Sequence, residues 1–178
     1  GKATGSDYFG VTPDIITCAK GLTNATIPMG ATIVQDYIYE SMLENADAPI
    51  ELFHGYTYSG HPVACAAALA TLDIYKEEGL FEHAGEQAPK IEKAAHSLKG
   101  TKHIIDIRNL GVIAALELEP RGNAVGARGF EVMKKAWDMG LMVRANGDTL
   151  AFSPPLIVKD NQIDEMFTTV KSALEQVD

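Results

Sequence analysis

Residues 14–21 read Asp14-Ile15-Ile16-Thr17-Cys18-Ala19-Lys20-Gly21, and a second block, Ile27-Pro28-Met29-Gly30-Ala31, follows closely. Pro13-Asp14 is turn chemistry, because proline presets the backbone and aspartate caps turns. The short apolar run after it predicts a strand buried on both faces. That strand ends on one lysine. An amine at the edge of an apolar site is poorly solvated as ammonium, so its pKa falls and the neutral form can attack a carbonyl. On sequence alone, Lys20 is more simply a residue that leaves the strand for water.

Outward from this stretch, residues 31–34 form a second strand candidate, and Asp36 caps a short helix through Leu43. Residues 44–61 read as irregular, with Pro49 and several glycines. Pro62 suits the first turn of a helix rich in small residues, which Gly79 stops in a left-handed cap. From Phe81 a more polar helix carries Ala84, Ala88, Ile91, Ala95 and Leu98 on one face. Two strands, 103–107 and 112–118, are expected to join through Asn109-Leu110-Gly111. A helix over 128–139 would place Phe130, Met133 and Trp137 together as core. Strands over 141–144 and 149–152 flank an Asn146-Gly147-Asp148 turn. A last helix from Asp160 buries Ile163, Met166, Phe167, Val170, Leu174 and Val177. The natural boundary falls at Gly79, giving domains 1–79 and 80–178.

Composition excludes several classes. The formal charge is −9 over 178 residues, with no long basic run, which argues against nucleic-acid binding. Cys18 and Cys65 form no C-x-x-C pair and read as small core residues of a reducing compartment. No apolar run approaches the roughly 20 residues that span a bilayer. A soluble cytoplasmic protein is expected. Without an H-E-x-x-H motif or a Cys/His cluster, no metal site is expected. Gly126-Ala127-Arg128 lacks dinucleotide-binding spacing.

Four ordered blocks carry a family resemblance. The stretch from Asp7 through Lys20 and on to Ala31 resembles the cofactor-lysine region of class III pyridoxal-phosphate aminotransferases. His54-Gly55-Tyr56-Thr57-Tyr58-Ser59-Gly60-His61-Pro62 resembles their segment that reaches across the dimer. Arg108-Asn109-Leu110-Gly111 with Glu117 resembles the start of the small domain, and Arg144 with Gly147-Asp148 and Pro154-Pro155 the substrate-carboxylate region.

The resemblance implies an α/β fold, an incomplete fold-type I transferase. Residues 1–79 would end the large cofactor-binding domain, and 80–178 would be the α+β small domain. It implies pyridoxal 5'-phosphate as cofactor, with Lys20 as the lysine that forms the Schiff base and shuttles a proton. Thr57 would bind the cofactor phosphate of the other subunit, and Arg144 the substrate carboxylate. The implied reaction moves an amino group from an omega-amino acid or amine to pyruvate, in a homodimer or a dimer of dimers. The Arg144–Asp148 block favours this type over ornithine, 4-aminobutyrate, diaminopelargonate or glutamate-semialdehyde enzymes; a noncatalytic module of the same fold is the rival from another class. The family's pyridine-nitrogen carboxylate, its stacking aromatic and its main phosphate turn are expected before Gly1. The 178-residue chain alone is therefore expected to be inactive.

Overall fold

In a computed structural model of the chain, residues 1–46 and 54–178 are described. Pro49, in the stretch expected to be irregular, lies outside the described residues. The backbone divides into two compact units, Ala3–Gly79 and Leu80–Asp178, the latter with Gly1–Lys2.

The first unit opens with α1 (Gly5–Phe9), a short helix. The Thr4 hydroxyl accepts the Asp7 N–H at 3.1 Å at its start, and Gly10 in the left-handed region ends it. The strand β1 (Ile15–Ala19) pairs antiparallel with β2 (Gly30–Val34), from Ile15 opposite Val34 to Ala19 opposite Gly30. Between them, Lys20–Leu22 is a single 3₁₀ turn. Then come α2 (Asp36–Glu44) and α3 (Pro62–Glu77). The Tyr37 hydroxyl donates to Asp14 at 3.0 Å, and that carboxylate raises the tyrosine pKa above its ordinary value.

The expectation of a buried β1 is corrected: its side chains alternate between exposed and half-buried, and none is buried. The ladder has two strands, and no helix of the unit closes over it among the described residues. Apolar sequence marks a surface that favours cover; it does not supply the cover. Cys18 and Cys65 are likewise half-buried rather than core. On α3, by contrast, Ala64, Ala68 and Thr71 are buried at helical spacing along one face.

The second unit contains α4 (Leu80–His96), β3 (Ile104–Leu110), β4 (Ile113–Leu118), α5 (Ala127–Asp138), β5 (Arg144–Asn146), β6 (Thr149–Phe152) and α6 (Asp160–Leu174). Its antiparallel sheet has the order β3-β4-β6-β5. Period-2 alternation sends Ala114, Leu116, Leu118, Leu150 and Phe152 to one face, against Ile91 of α4, Val132 of α5 and Phe167 of α6. Phe152 and Phe167 meet with ring centroids 4.9 Å apart. Each fully buried aliphatic side chain here contributes about 1.5–3 kcal/mol. The expected stripe of α6 is buried at Ile163, Phe167, Val170 and Leu174, with Val177 just beyond the helix; Ala173 joins it, and Met166 is half-buried.

Three expectations shift. Phe130 and Trp137 are 56% and 64% exposed, not core. α5 instead buries Arg128, Gly129, Val132 and Ala136, a phase that turns both aromatics to the other side. β3 runs on through Leu110, so the hairpin turns at Gly111-Val112 with Gly111 at φ 57°. β5 begins only at Arg144, and its turn is Gly147-Asp148 with Gly147 at φ 59°. Among the described residues, no helix is long and apolar enough to cross a membrane.

Candidate functional site

Lys20 sits at the exit of β1 with φ 55°, in the left-handed region that favours glycine. For a residue with a Cβ this costs on the order of 1–2 kcal/mol. Its side chain is exposed, which corrects the expectation of an amine set in an apolar site. The reason is the uncovered face of β1 already described. Among the described residues, the Lys20 amine has no hydrogen bond or ion pair.

The turn after Lys20 is tightly tied. Thr23 is 1% exposed and donates its hydroxyl to the Ile27 carbonyl at 2.6 Å. Thr26 donates to the Thr23 carbonyl at 2.7 Å. The N–H groups of Thr23 and Ala25 both donate to the Lys20 carbonyl at 3.3 Å. From α3, Tyr75 donates its hydroxyl to the Gly21 carbonyl at 2.7 Å.

Thr57 lies in a glycine-flanked turn where the Ser59 N–H donates to the Tyr56 carbonyl at 2.9 Å and the Ser59 hydroxyl accepts the Tyr56 N–H at 3.1 Å. The Thr57 hydroxyl and the N–H groups of Thr57, Tyr58 and Gly60 keep no acceptor or donor among the described residues. Such a run of free donors is the chemistry that suits an anion.

Arg144 belongs to the other unit. The register places Arg144 beside Ala151, Ala151 beside Ala115, and Ala115 beside Arg108, one row across the sheet on the face away from the core. The two arginines of that row are treated differently. Arg108 is held by Asp106 at 2.6 Å and by Glu117, and these hydrogen bonds, Glu117 first, raise its pKa. Arg121 binds Glu131 at 2.8 Å, and Arg121 and Arg128 both donate to the Asp178 carbonyl. Of the four arginines, Arg144 alone has no partner among the described residues. A free guanidinium fork beside two alanines has the geometry and the room to take a carboxylate.

Asp148 is the residue that sequence reasoning missed. The sequence marks it only as part of the Asn146-Gly147-Asp148 turn and of the block with Arg144. It is buried and accepts the N–H groups of Gly126 at 2.6 Å and Gly129 at 2.9 Å, fixing the start of α5 to the turn that follows Arg144. The signal lay in the two glycines: a Cβ on Gly129 would come within 2.9 Å of the Asp148 Cα. Among the described residues, no group of three His, Cys, Asp or Glu side chains could hold a metal.

Comparison with known proteins identifies the family. Residues 1–174 match the family described as aminotransferase class-III. The omega-aminotransferase of Caulobacter vibrioides is 51% identical over the whole chain, which covers 40% of that protein. The beta-alanine–pyruvate aminotransferase of Pseudomonas aeruginosa is 44% identical over 99% of the chain and 40% of its own length. An amine transaminase from an uncultivated Pseudomonas species, solved in PLP-bound form, superposes with a TM-score of 0.89 at 33% identity, over 98% of this chain and 41% of that one. The chain thus spans about two fifths of the length of the relatives it matches. Over that span, from the strand that ends in Lys20 to the last helix, the chain belongs to the class-III aminotransferases.

Proposed function

We propose that the intact protein carrying this chain is a pyridoxal-phosphate aminotransferase that moves an amino group from an omega-amino acid or amine to pyruvate. The observation that carries the reading is the family match over residues 1–174, coupled to an unpartnered lysine at a strand exit in a left-handed turn. The residues present fit the cofactor: Lys20 offers an accessible amine, and the Thr57 turn offers a hydroxyl with free N–H groups suited to a phosphate.

When bound, the cofactor supplies a ring that accepts the electrons released at the carbon bearing the amino group. Lys20 holds the cofactor covalently through Nζ. As a free amine, the same Nζ would accept the proton from that carbon. Arg144 takes the carboxylate of pyruvate in a bidentate pair. Its freedom from intrachain partners among the described residues suits a group that must also let an uncharged amine enter. Thr57 binds the cofactor phosphate of a partner subunit, which makes a homodimer part of the proposal. A cytoplasmic location belongs to the same reading.

The test is borohydride reduction of the intact holoprotein followed by peptide mapping. A pyridoxyl group on Lys20 is expected, and its recovery on another lysine would refute the assignment. An acceptor panel checks the reaction type: preference for 2-oxoglutarate over pyruvate would overturn that part.

A further inference from the structure

We propose that Tyr75 is a positioning residue for Lys20, holding the turn that sets where the amine points; this rests on the reading of Lys20 as the cofactor lysine. Lys20 is a residue with a Cβ in a conformation that glycine adopts freely (φ 55°). Such a residue persists there only where its surroundings over-determine it. Asn24 (φ 49°) and Ala25 (φ 59°) share the same region within the same short segment. Three positions that would be easier for glycine are thus filled by other residues, and the segment needs restraint from outside.

Part of that restraint is local. Thr23 and Thr26 close the segment on itself through the carbonyls of Ile27 and Thr23. These bonds fix the later part of the loop. The Lys20–Gly21 peptide is held locally, by the Thr23 and Ala25 N–H groups on the Lys20 carbonyl; the next one, Gly21–Leu22, takes the Asn24 N–H at 3.4 Å and, from a helix fifty-four residues on, the Tyr75 hydroxyl at 2.7 Å, both on the Gly21 carbonyl. The approach is close: a Cβ on Gly21 would lie 3.3 Å from the Tyr75 hydroxyl oxygen. The Ala19–Lys20 and Lys20–Gly21 peptides set the direction of the Lys20 Cα–Cβ bond, and the Gly21–Leu22 peptide that Tyr75 holds restrains the second of them through Gly21. If they relax toward the ordinary right-handed region, the amine leaves the sheet in another direction. Tyr75 thereby links the α3 face to the aim of the lysine, and it does so without touching the reacting atoms.

Tyr75→Phe in the intact holoprotein removes the hydroxyl and keeps the ring. The expected result is a fall in kcat of about tenfold or more, because small misplacements of a reacting group are costly, with KM for the amine within about twofold. The pH midpoint of the lysine–cofactor absorbance should also move, while the thermal midpoint changes little. A merely structural tyrosine would lower the thermal midpoint and leave the absorbance midpoint in place. Gly21→Ala, which crowds the same hydroxyl, should move the absorbance midpoint as well. Wild-type absorbance midpoints in both variants, with the pyridoxyl group still on Lys20, would overturn the role of Tyr75 alone. A pyridoxyl group on a different lysine would overturn the reading of Lys20 instead.

Discussion

The carboxylate of Asp148 accepts the backbone N–H of Gly129 at 2.9 Å, a bond that joins the β5–β6 turn to the first turn of α5. Its other oxygen takes the Gly126 N–H at 2.6 Å. One buried side chain therefore satisfies two donors at a helix start, where backbone N–H groups have no partner within the helix. Charge-assisted bonds of this kind contribute about 1.5–3 kcal/mol each, but two on one carboxylate are not additive. Asp148→Ala is expected to destabilise the protein by about 3 kcal/mol, read from urea unfolding. Asp148→Asn, which keeps one acceptor, should lose less. A loss under about 0.5 kcal/mol for the alanine variant would show that the bonds are dispensable.

Gly129 is the other side of the same junction. A methyl group there would press on the Asp148 Cα and on the Gly147 backbone, neither of which can move without opening the turn. Overpacking of this kind destabilises by about 1–3 kcal/mol. Gly129→Ala should thus cost as much as a core defect, although alanine favours helix by about 1 kcal/mol over glycine. A stabilised variant in thermal unfolding would contradict the close approach.

Lys90 and Asp160 tie α4 to the start of α6 at 2.7 Å. Hydrogen bonding to Lys90 holds the Asp160 pKa below its ordinary value of 3.8. A depressed folded-state pKa means that the contribution is present above the unfolded value and is lost as pH falls through the folded one. Asp160→Asn should therefore be less stable than wild type at pH 7, and the gap should narrow as pH falls below 3.8 and close once it has passed the lowered pKa of Asp160. Both side chains are well exposed, so the gap is small and shrinks in salt. A gap that persists unchanged in acid would exclude the pair as its source.

Arg144→Ala in the intact protein separates a carboxylate clamp from general scaffolding. Losing a bidentate, charge-assisted pair should lower kcat/KM for pyruvate by about ten- to a hundredfold. A simple amine without a carboxylate should lose less than about threefold. Equal losses for both substrates would remove Arg144 from the binding role.

Sequence periodicity located the second unit well because its elements cover one another. β4 and β6, placed from their spans, bury alternate residues from Ala114 to Phe152, and α6 buries most of the stripe that the 3.6-residue period picked out. It misjudged β1, where Ile15–Ala19 forms a strand but gains no cover. Phe130 and Trp137 failed for a different reason. Their seven-residue spacing is helical, but the buried face of α5 carries Arg128, Gly129, Val132 and Ala136, with Gly129 set close against the turn between β5 and β6. Lys20, Thr57 and Arg144 were named through resemblance to a family. Asp148 and Tyr75 bond to backbone groups, and a backbone partner leaves no mark in the pattern of side chains.

β5 is three residues long, lies at the edge of its sheet, and is paired to β6 alone. Releasing it breaks a short ladder and leaves the central strands intact, so its amides should exchange with deuterium well before those of Leu116 or Leu150. The arginine it carries sits on the most easily detached backbone of the unit, and the alanines beside it belong to the strands that hold longest.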